Sequence, residues 1–112
     1  MPLRTVAVLV PERSTVFELG LVCEVLGIDR TDEGVPAVDF RVCGERPGIP
    51  VEWENGMTLT LPHGLEGLAG ADVVVISATR ARTFAPAVLD AVRAAHAAGA
   101  TLVTVCSGVF LL

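Results

Sequence analysis

Short, uninterrupted apolar runs recur along the chain, and they restrict its fold more than any other feature. Thr5–Val10 reads Thr-Val-Ala-Val-Leu-Val, and Val73–Ser77 and Thr101–Val105 have the same character. Val38–Cys43 is a further extended segment. Strands that are apolar on both faces are typical of a parallel sheet covered by helices. Because parallel neighbours need long crossover connections, we expect helices between these strands.

Two helices are predicted between the strands. The first covers Val16–Leu26 and ends at Gly27, and the second runs from Pro86 to about Ala98 with Gly99 as its C-cap. The apolar residues at helical spacing are Phe17, Leu21, Val22, Val25 and Leu26 in the first helix and Val88, Leu89, Val92 and Ala95 in the second. The alternation of strands and helices predicts an α/β fold with a doubly wound, mostly parallel sheet and helices on both faces.

A small excursion interrupts this alternation. Val51–Trp53 and Met57–Leu61 flank Glu54-Asn55-Gly56, and Asn-Gly between two extended segments predicts a hairpin. Gly64–Ala69 is expected to form a short helix before the next strand. No Gly-x-Gly-x-x-Gly follows the first strand, so the sequence lacks a dinucleotide fingerprint, and we expect no cofactor.

Composition excludes several classes of protein. The 112 residues suffice for one small domain, and 52% of them are hydrophobic, which excludes a disordered chain. The net charge of −5 excludes a strongly basic nucleic-acid-binding domain within these residues. No apolar run approaches the roughly 18 residues of a membrane span, so we expect no membrane contact and a cytoplasmic location. Three widely spaced cysteines predict neither a disulfide framework nor a metal site.

The apolar ending Ser107–Leu112 is typical of a helix that stops in its first or second turn. We therefore expect residues 1–112 to form one domain that is incomplete at its C-terminus, with the natural protein continuing beyond Leu112. The alternative is a short C-terminal helix that docks its apolar side on the core.

Cys106 is the strongest candidate for a functional side chain. It lies between the last predicted strand and a predicted helix start at Ser107-Gly108, which is the geometry of a nucleophile elbow. The helix N-terminus would lower the pKa of the thiol, and the Ser107 N–H would face an oxyanion. The alternative is a buried, inert cysteine.

Glu18 is the candidate partner of Cys106. It lies one turn into the first helix, and if the first and last strands are neighbours, their carboxyl ends bring Glu18 close to the thiol. There it would hydrogen-bond the sulfur if protonated, or tune it. The alternative is a capping box, in which Glu18 accepts from the backbone N–H of Thr15. The sequence leaves both interpretations open.

Other candidates are weaker. Arg80 and Arg82 follow a strand at the edge where ligands bind, and they would suit an anionic ligand, although solvated surface arginines are commoner. His63 lies in a loop, and His96 lies near the end of the second helix, where a cation suits the dipole. Neither histidine can be paired with Cys106, and Trp53 is interpreted as a packing or interface residue.

Several motifs together resemble a known family. The opening of the chain resembles the ThiJ/PfpI superfamily, which has a class I glutamine amidotransferase-like, flavodoxin-like fold. Further motifs resemble the N-terminal domain of GlxA-like regulators in the AraC family of transcriptional regulators. The motifs are Val8–Pro11, Phe17–Gly20 and Glu24–Gly27 for the superfamily, and Phe40–Gly44, Leu59–Leu65 and Val105–Leu112 for the regulators.

This resemblance implies a domain that senses a small-molecule effector or forms a homodimer, while DNA is bound by a C-terminal pair of helix-turn-helix units that this chain does not contain. In enzymes of the superfamily, the elbow cysteine is the nucleophile and an acidic residue lies beside it, which implies Cys106 and Glu18 here. The oxyanion site would use the backbone at Ser107 and Ala78, and Arg80 would contact ligand.

Two departures weigh against catalysis. The turn Ser77-Ala78-Thr79-Arg80 lacks the glycines that many superfamily members carry, and no histidine follows Cys106 within the chain. The alternative function is a cysteine-dependent hydrolase, hydratase or glyoxalase-like enzyme of the same superfamily. A third is a remnant without activity of its own.

Overall fold

A computed structural model of the chain describes residues 4–52 and 56–105. Two α-helices and six strands are formed there, with 3-10 turns at Thr31–Glu33 and Leu65–Leu68. In chain order the elements are β1 (Thr5–Leu9), α1 (Val16–Leu26), β2 (Asp39–Cys43), β3 (Val51–Glu52), β4 (Thr58–Leu59), β5 (Val73–Ile76), α2 (Pro86–Ala97) and β6 (Thr101–Thr104). None of the described helices is both long and apolar enough to cross a membrane.

The central sheet has four strands in the order β2-β1-β5-β6, and every pair is parallel. Alternate residues of β1 face opposite sides. Ala7 and Leu9 pack in a core with α2, whereas Val6 and Val8 pack in a second core with α1. The predicted fold class, a mostly parallel α/β sheet covered by helices, is therefore confirmed.

The first and last strands, whose adjacency was the condition for bringing Glu18 close to Cys106, are not neighbours. β6 pairs with β5, and β5 pairs with β1, so β5 lies between them. The crossover through α2 returns the chain to the free edge of β5, because the other edge is already paired with β1. The loop that follows β5 therefore lies between the loop that leads to Glu18 and the end of β6.

Helix α1 buries only part of its predicted apolar pattern, since Val22 and, in part, Leu26 pack on the core beside the sheet. Leu19 and Val22 are buried against the sheet, while Phe17, Leu21 and Val25 are 75%, 50% and 59% exposed. We call these three exposed residues the α1 stripe. The helix is apolar nearly all round, with only Glu18 and Glu24 charged, so its periodicity does not distinguish the buried face.

The predicted hairpin is present but short. β3 and β4 are antiparallel and pair Val51 with Leu59 and Glu52 with Thr58. The turn around Trp53 lies outside the described residues. The predicted short helix forms as the 3-10 turn Leu65–Leu68, and α2 begins with Pro86 as predicted and is followed by Gly99 with a positive φ of 105°.

Candidate functional site

Two loops meet at the carboxyl edge of the sheet and form the framework of the candidate site. Residues 10–15 follow β1, and residues 77–81 follow β5; we call them the loop pair. The Thr15 N–H donates to the Ala78 carbonyl over 3.0 Å, and the Arg80 N–H donates to the Arg13 carbonyl over 2.9 Å. Ser14 and Thr79 form an antiparallel bridge between these two bonds. The loops are therefore joined like a short two-stranded ribbon.

Buried hydroxyl groups strengthen this connection. The Thr79 hydroxyl donates to the Glu12 carbonyl and accepts from the Ala81 N–H over 3.0 Å, so one side chain ties both loops. The Ser14 hydroxyl donates to the Pro11 carbonyl. Arg13 has a φ of 59°, in the left-handed region that non-glycine residues rarely adopt, and its carbonyl accepts the bond from Arg80. The loop pair is thus held by contacts that are remote in sequence.

Glu18 lies in the first turn of α1, beside this framework. The Thr15 hydroxyl donates to a Glu18 carboxylate oxygen, and this bond is the main cause that holds the pKa of Glu18 below its usual range. The backbone N–H of Glu18 lowers the pKa further, burial opposes these effects slightly, and the positive charge of Arg80 makes a smaller contribution. Of the two states considered for Glu18, this geometry favours the ionised carboxylate over a protonated donor.

The capping box is not formed. Its defining bond needs the backbone N–H of Thr15 to donate to Glu18, but that N–H donates to Ala78 instead. Thr15 still precedes the helix with extended backbone angles, without a side-chain capping bond to the helix amides. The Thr15–Glu18 contact therefore orients the carboxylate and favours its ionised form, but it does not cap the helix.

The structure brings together three of the predicted site residues. Glu18, Ala78 and Arg80 all lie at or beside the loop pair. Ala78 is only 1% exposed, whereas Arg80 is at the surface. Cys106 and Ser107 lie outside the described residues. The described chain reaches the same edge, since the Val105 N–H donates to the Ile76 carbonyl over 3.1 Å.

The fold of the chain is similar to that of several solved structures. No protein-family profile and no curated protein sequence matches the chain. Solved structures do match. A candidate transcriptional regulator from Vibrio parahaemolyticus has a TM-score of 0.81 at 16% identity, covering 98% of this chain and 60% of its own. Drosophila melanogaster DJ-1beta has a TM-score of 0.75 at 19% identity, covering 99% of this chain and 59% of its own.

An AraC family transcriptional regulator from Pseudomonas putida has a TM-score of 0.77 at 15% identity, covering 96% of this chain and 68% of its own. The chain therefore shares the fold of these solved structures. The predicted resemblance is thereby confirmed at the level of the fold. The chain spans about three fifths of the length of the first two of these structures.

Within this fold, the two described cysteines are poor nucleophiles. Cys43 is buried in the α2 core, and burial raises the pKa of its thiol to about 11, with Arg41 opposing and Glu66 adding to the shift. Burial also raises the pKa of Cys23. The backbone of His63 forms an isolated parallel β-bridge with Cys43 at the end of β2. His96 lies in the last turn of α2. Across residues 4–52 and 56–105, no three His, Cys, Asp or Glu side chains are placed to hold a metal ion.

Ser77 and Thr79 were not identified from the sequence as site residues. Ser77 is fully buried at the end of β5, and its hydroxyl has no hydrogen-bond partner among the described residues. Thr79 is 1% exposed and joins the loop pair. Their small polar side chains after an apolar run were the only signal in the sequence. Such a signal does not say which distant loop a hydroxyl will contact.

Proposed function

We propose that the chain is the effector-sensing and dimerisation domain of an AraC-family transcriptional regulator in the cytoplasm. In this proposal Cys106 lies in the effector pocket, and DNA is bound by helix-turn-helix units of a separate domain. Two independent lines support it. The motifs of the sequence resemble GlxA-like regulators, and the fold is similar to that of an AraC family regulator over 96% of the chain.

The burial and the hydrogen bonds of the loop pair favour sensing over catalysis. An oxyanion site needs amide groups that substrate can reach. Ala78 is 1% exposed, so its N–H is closed to a substrate, and the Arg80 N–H already donates to the Arg13 carbonyl. A loop with these bonds suits a rigid pocket wall better than an oxyanion site.

Glu18 and Arg80 have defined roles in this proposal. The lowered pKa of Glu18 makes it a fixed negative charge and hydrogen-bond acceptor, which is unsuited to donating a proton to a substrate at neutral pH. The nearby Arg80 guanidinium supplies a positive charge. An effector with one acidic and one hydrogen-bond-donating group would therefore contact both side chains, with the Cys106 thiol and the Ser107 backbone beside it.

A homodimer is the expected assembly. The α1 stripe presents three large apolar side chains at helical spacing on one exposed helix face. Aligned apolar residues of this kind are typical of interaction surfaces, and a second copy of the chain would cover the same stripe on both protomers.

Turnover measurements test sensing against the alternative enzyme. Wild type and Cys106→Ser are assayed with an α-oxoaldehyde and with a p-nitrophenyl ester, and Cys43→Ser serves as a control cysteine variant. We expect equal background rates for all three proteins. Turnover that Cys106→Ser abolishes and Cys43→Ser retains would instead establish a cysteine-dependent hydrolase, hydratase or glyoxalase-like enzyme. The coding sequence downstream of Leu112 offers an independent check of the proposed regulator. If the proposal is right, this sequence should encode two helix-turn-helix units.

A further inference from the structure

A further pocket lies between the loop that follows β1 and the β3–β4 hairpin. The described residues that line it come from the loop after β1, the loop after β2, and the hairpin with the segment that follows it. Its volume is about 50 Å³, and its surface is mostly apolar. The apolar floor is formed by Val10, Val51, Leu59 and Leu61. The pocket shares Val10–Ser14 with the loop pair, but neither Glu18 nor Arg80 lines it.

Backbone hydrogen bonds hold the walls of this pocket in place. The Val10 N–H donates to the Cys43 carbonyl over 2.9 Å, which fixes the β1 loop to the end of β2. The Gly48 N–H donates to the Leu61 carbonyl over 2.9 Å, which fixes the β2 loop to the strand that returns from the hairpin. The pocket is therefore largely formed before any ligand arrives, as small-molecule sites usually are.

Charged side chains surround the apolar floor. The described residues that line the pocket include three glutamates and two arginines: Glu12, Glu45, Glu52, Arg13 and Arg46. Glu12 and Arg46 form an ion pair of 2.7 Å. With that pair neutral, the described lining residues keep two carboxylates, those of Glu45 and Glu52, and one guanidinium, that of Arg13, which is an excess of one negative charge. An apolar floor with a negative rim fits an amphiphilic cation.

We propose that this pocket binds a primary alkylammonium compound, with its short aliphatic chain on the floor and its ammonium group beside Glu45 and Glu52. The inference goes beyond the proposed function and does not rest on it, because this ligand and its pocket differ from the effector and the Cys106 pocket proposed above. The loop after β1 lines this pocket and also belongs to the loop pair, so it connects the pocket to the candidate site. The Glu12 and Arg13 carbonyls accept bonds from Thr79 and Arg80, so displacement of Glu12 by a ligand acts directly on the loop pair.

A titration with matched probes tests the proposal. The full chain, labelled with ¹⁵N, is titrated at pH 7 with n-butylamine hydrochloride, sodium butyrate and n-butanol, which share one aliphatic chain and differ in charge. We expect saturable shifts of the Glu12, Glu45 and Leu59 amides with butylammonium and much weaker binding of the other two. Equal binding of butyrate would overturn the charge assignment. The absence of saturable shifts with all three probes would overturn the pocket.

Charge-neutral variants supply the matched control. Glu45→Gln and Glu52→Gln remove exposed carboxylates at the rim, and each is expected to weaken butylammonium binding by up to about fivefold. Glu33→Gln makes the same charge change in the remote 3-10 turn Thr31–Glu33 and is expected to leave binding unchanged. Equal weakening of butylammonium binding by all three variants would mean that only the net charge of the protein matters, and it would overturn the site.

The outcome is separable from that of the proposed function. Shifts confined to the Glu18 and Arg80 amides would overturn this pocket and leave effector sensing in place. Turnover that depends on Cys106 would overturn effector sensing, and the binding of butylammonium beneath the hairpin would still stand.

Discussion

At the scale of the residue, Glu18 gives the sharpest prediction. Its carboxylate is ionised because the Thr15 hydroxyl and its own backbone N–H stabilise the negative charge. If this charge lies beside Cys106, then Glu18→Gln removes a repulsion of the thiolate and lowers the pKa of the Cys106 thiol. The measurement is the pH dependence of Cys106 alkylation by iodoacetamide, followed by peptide mass spectrometry. In the wild type we expect a pKa well below the ~8.5 of a free thiol.

Glu24→Gln is the control for this experiment, since it makes the same charge change one and a half turns further along α1, at an exposed position. It is expected to leave the alkylation profile of Cys106 unchanged. Cys43 and Cys23, whose pKa values are raised by burial, should react slowly throughout. Identical profiles for Glu18→Gln and wild type would mean that Glu18 has no contact with the thiol.

Single residues also show where sequence reasoning succeeds. Glu18 and Arg80 were placed at one edge of the sheet because residues that follow parallel strands share that edge, and the family resemblance placed Ala78 there. Thr79 was missed, because its role depends on a bond to the Glu12 carbonyl, 67 positions away in the chain. Hydroxyl groups make such bonds in many settings, so nothing local distinguishes this one.

At the scale of the element, two glycines predict opposite effects of the same substitution. Gly20 lies inside α1 with open space around its Cα, so Gly20→Ala should stabilise the protein by about 0.5–1 kcal/mol. Gly67 lies in the turn Leu65–Leu68, where an added Cβ would be 2.5 Å from the Cys43 sulfur and 3.2 Å from the His63 Cβ. Gly67→Ala should therefore destabilise it by about 1–3 kcal/mol.

Urea unfolding of the two alanine variants and the wild type measures both effects. Each glycine variant controls for the other, because the chemical change is identical and only the surroundings differ. Destabilisation by Gly20→Ala would contradict an exposed helical position for that residue. A neutral Gly67→Ala would mean that the turn moves away from Cys43 at little cost.

Helix bounds were more predictable than helix faces. Gly27 and Pro86 are local signals, and the predicted bounds of α1 and α2 agree with the structure to within one residue. The buried face of α1 was not predictable, since a helix with apolar residues all round can pack on several sides. The exposed α1 stripe is the consequence.

At the scale of the whole molecule, the sheet class was predictable and the strand order was not. Uniformly apolar strands indicate burial on both faces, but they do not say which strand is next to which. β5 occupies the place beside β1, and the loop after β5 consequently joins the loop that leads to Glu18. The framework of the site is thus a product of strand order and long-range hydrogen bonds.

The α1 stripe leads to the last prediction, which concerns assembly. If two copies of the chain pair through this face, the double variant Phe17→Glu/Leu21→Glu places carboxylates in an apolar contact and weakens the dimer by about tenfold or more. Both side chains are at least half exposed in the single chain, so the fold should tolerate the change. Ile49→Glu alters an equally exposed apolar residue in the loop after β2 and is the control. Sedimentation equilibrium over a range of protein concentrations should show dimers for wild type and Ile49→Glu and monomers for the double variant, whereas dimers of unchanged affinity in the double variant would remove α1 from the interface.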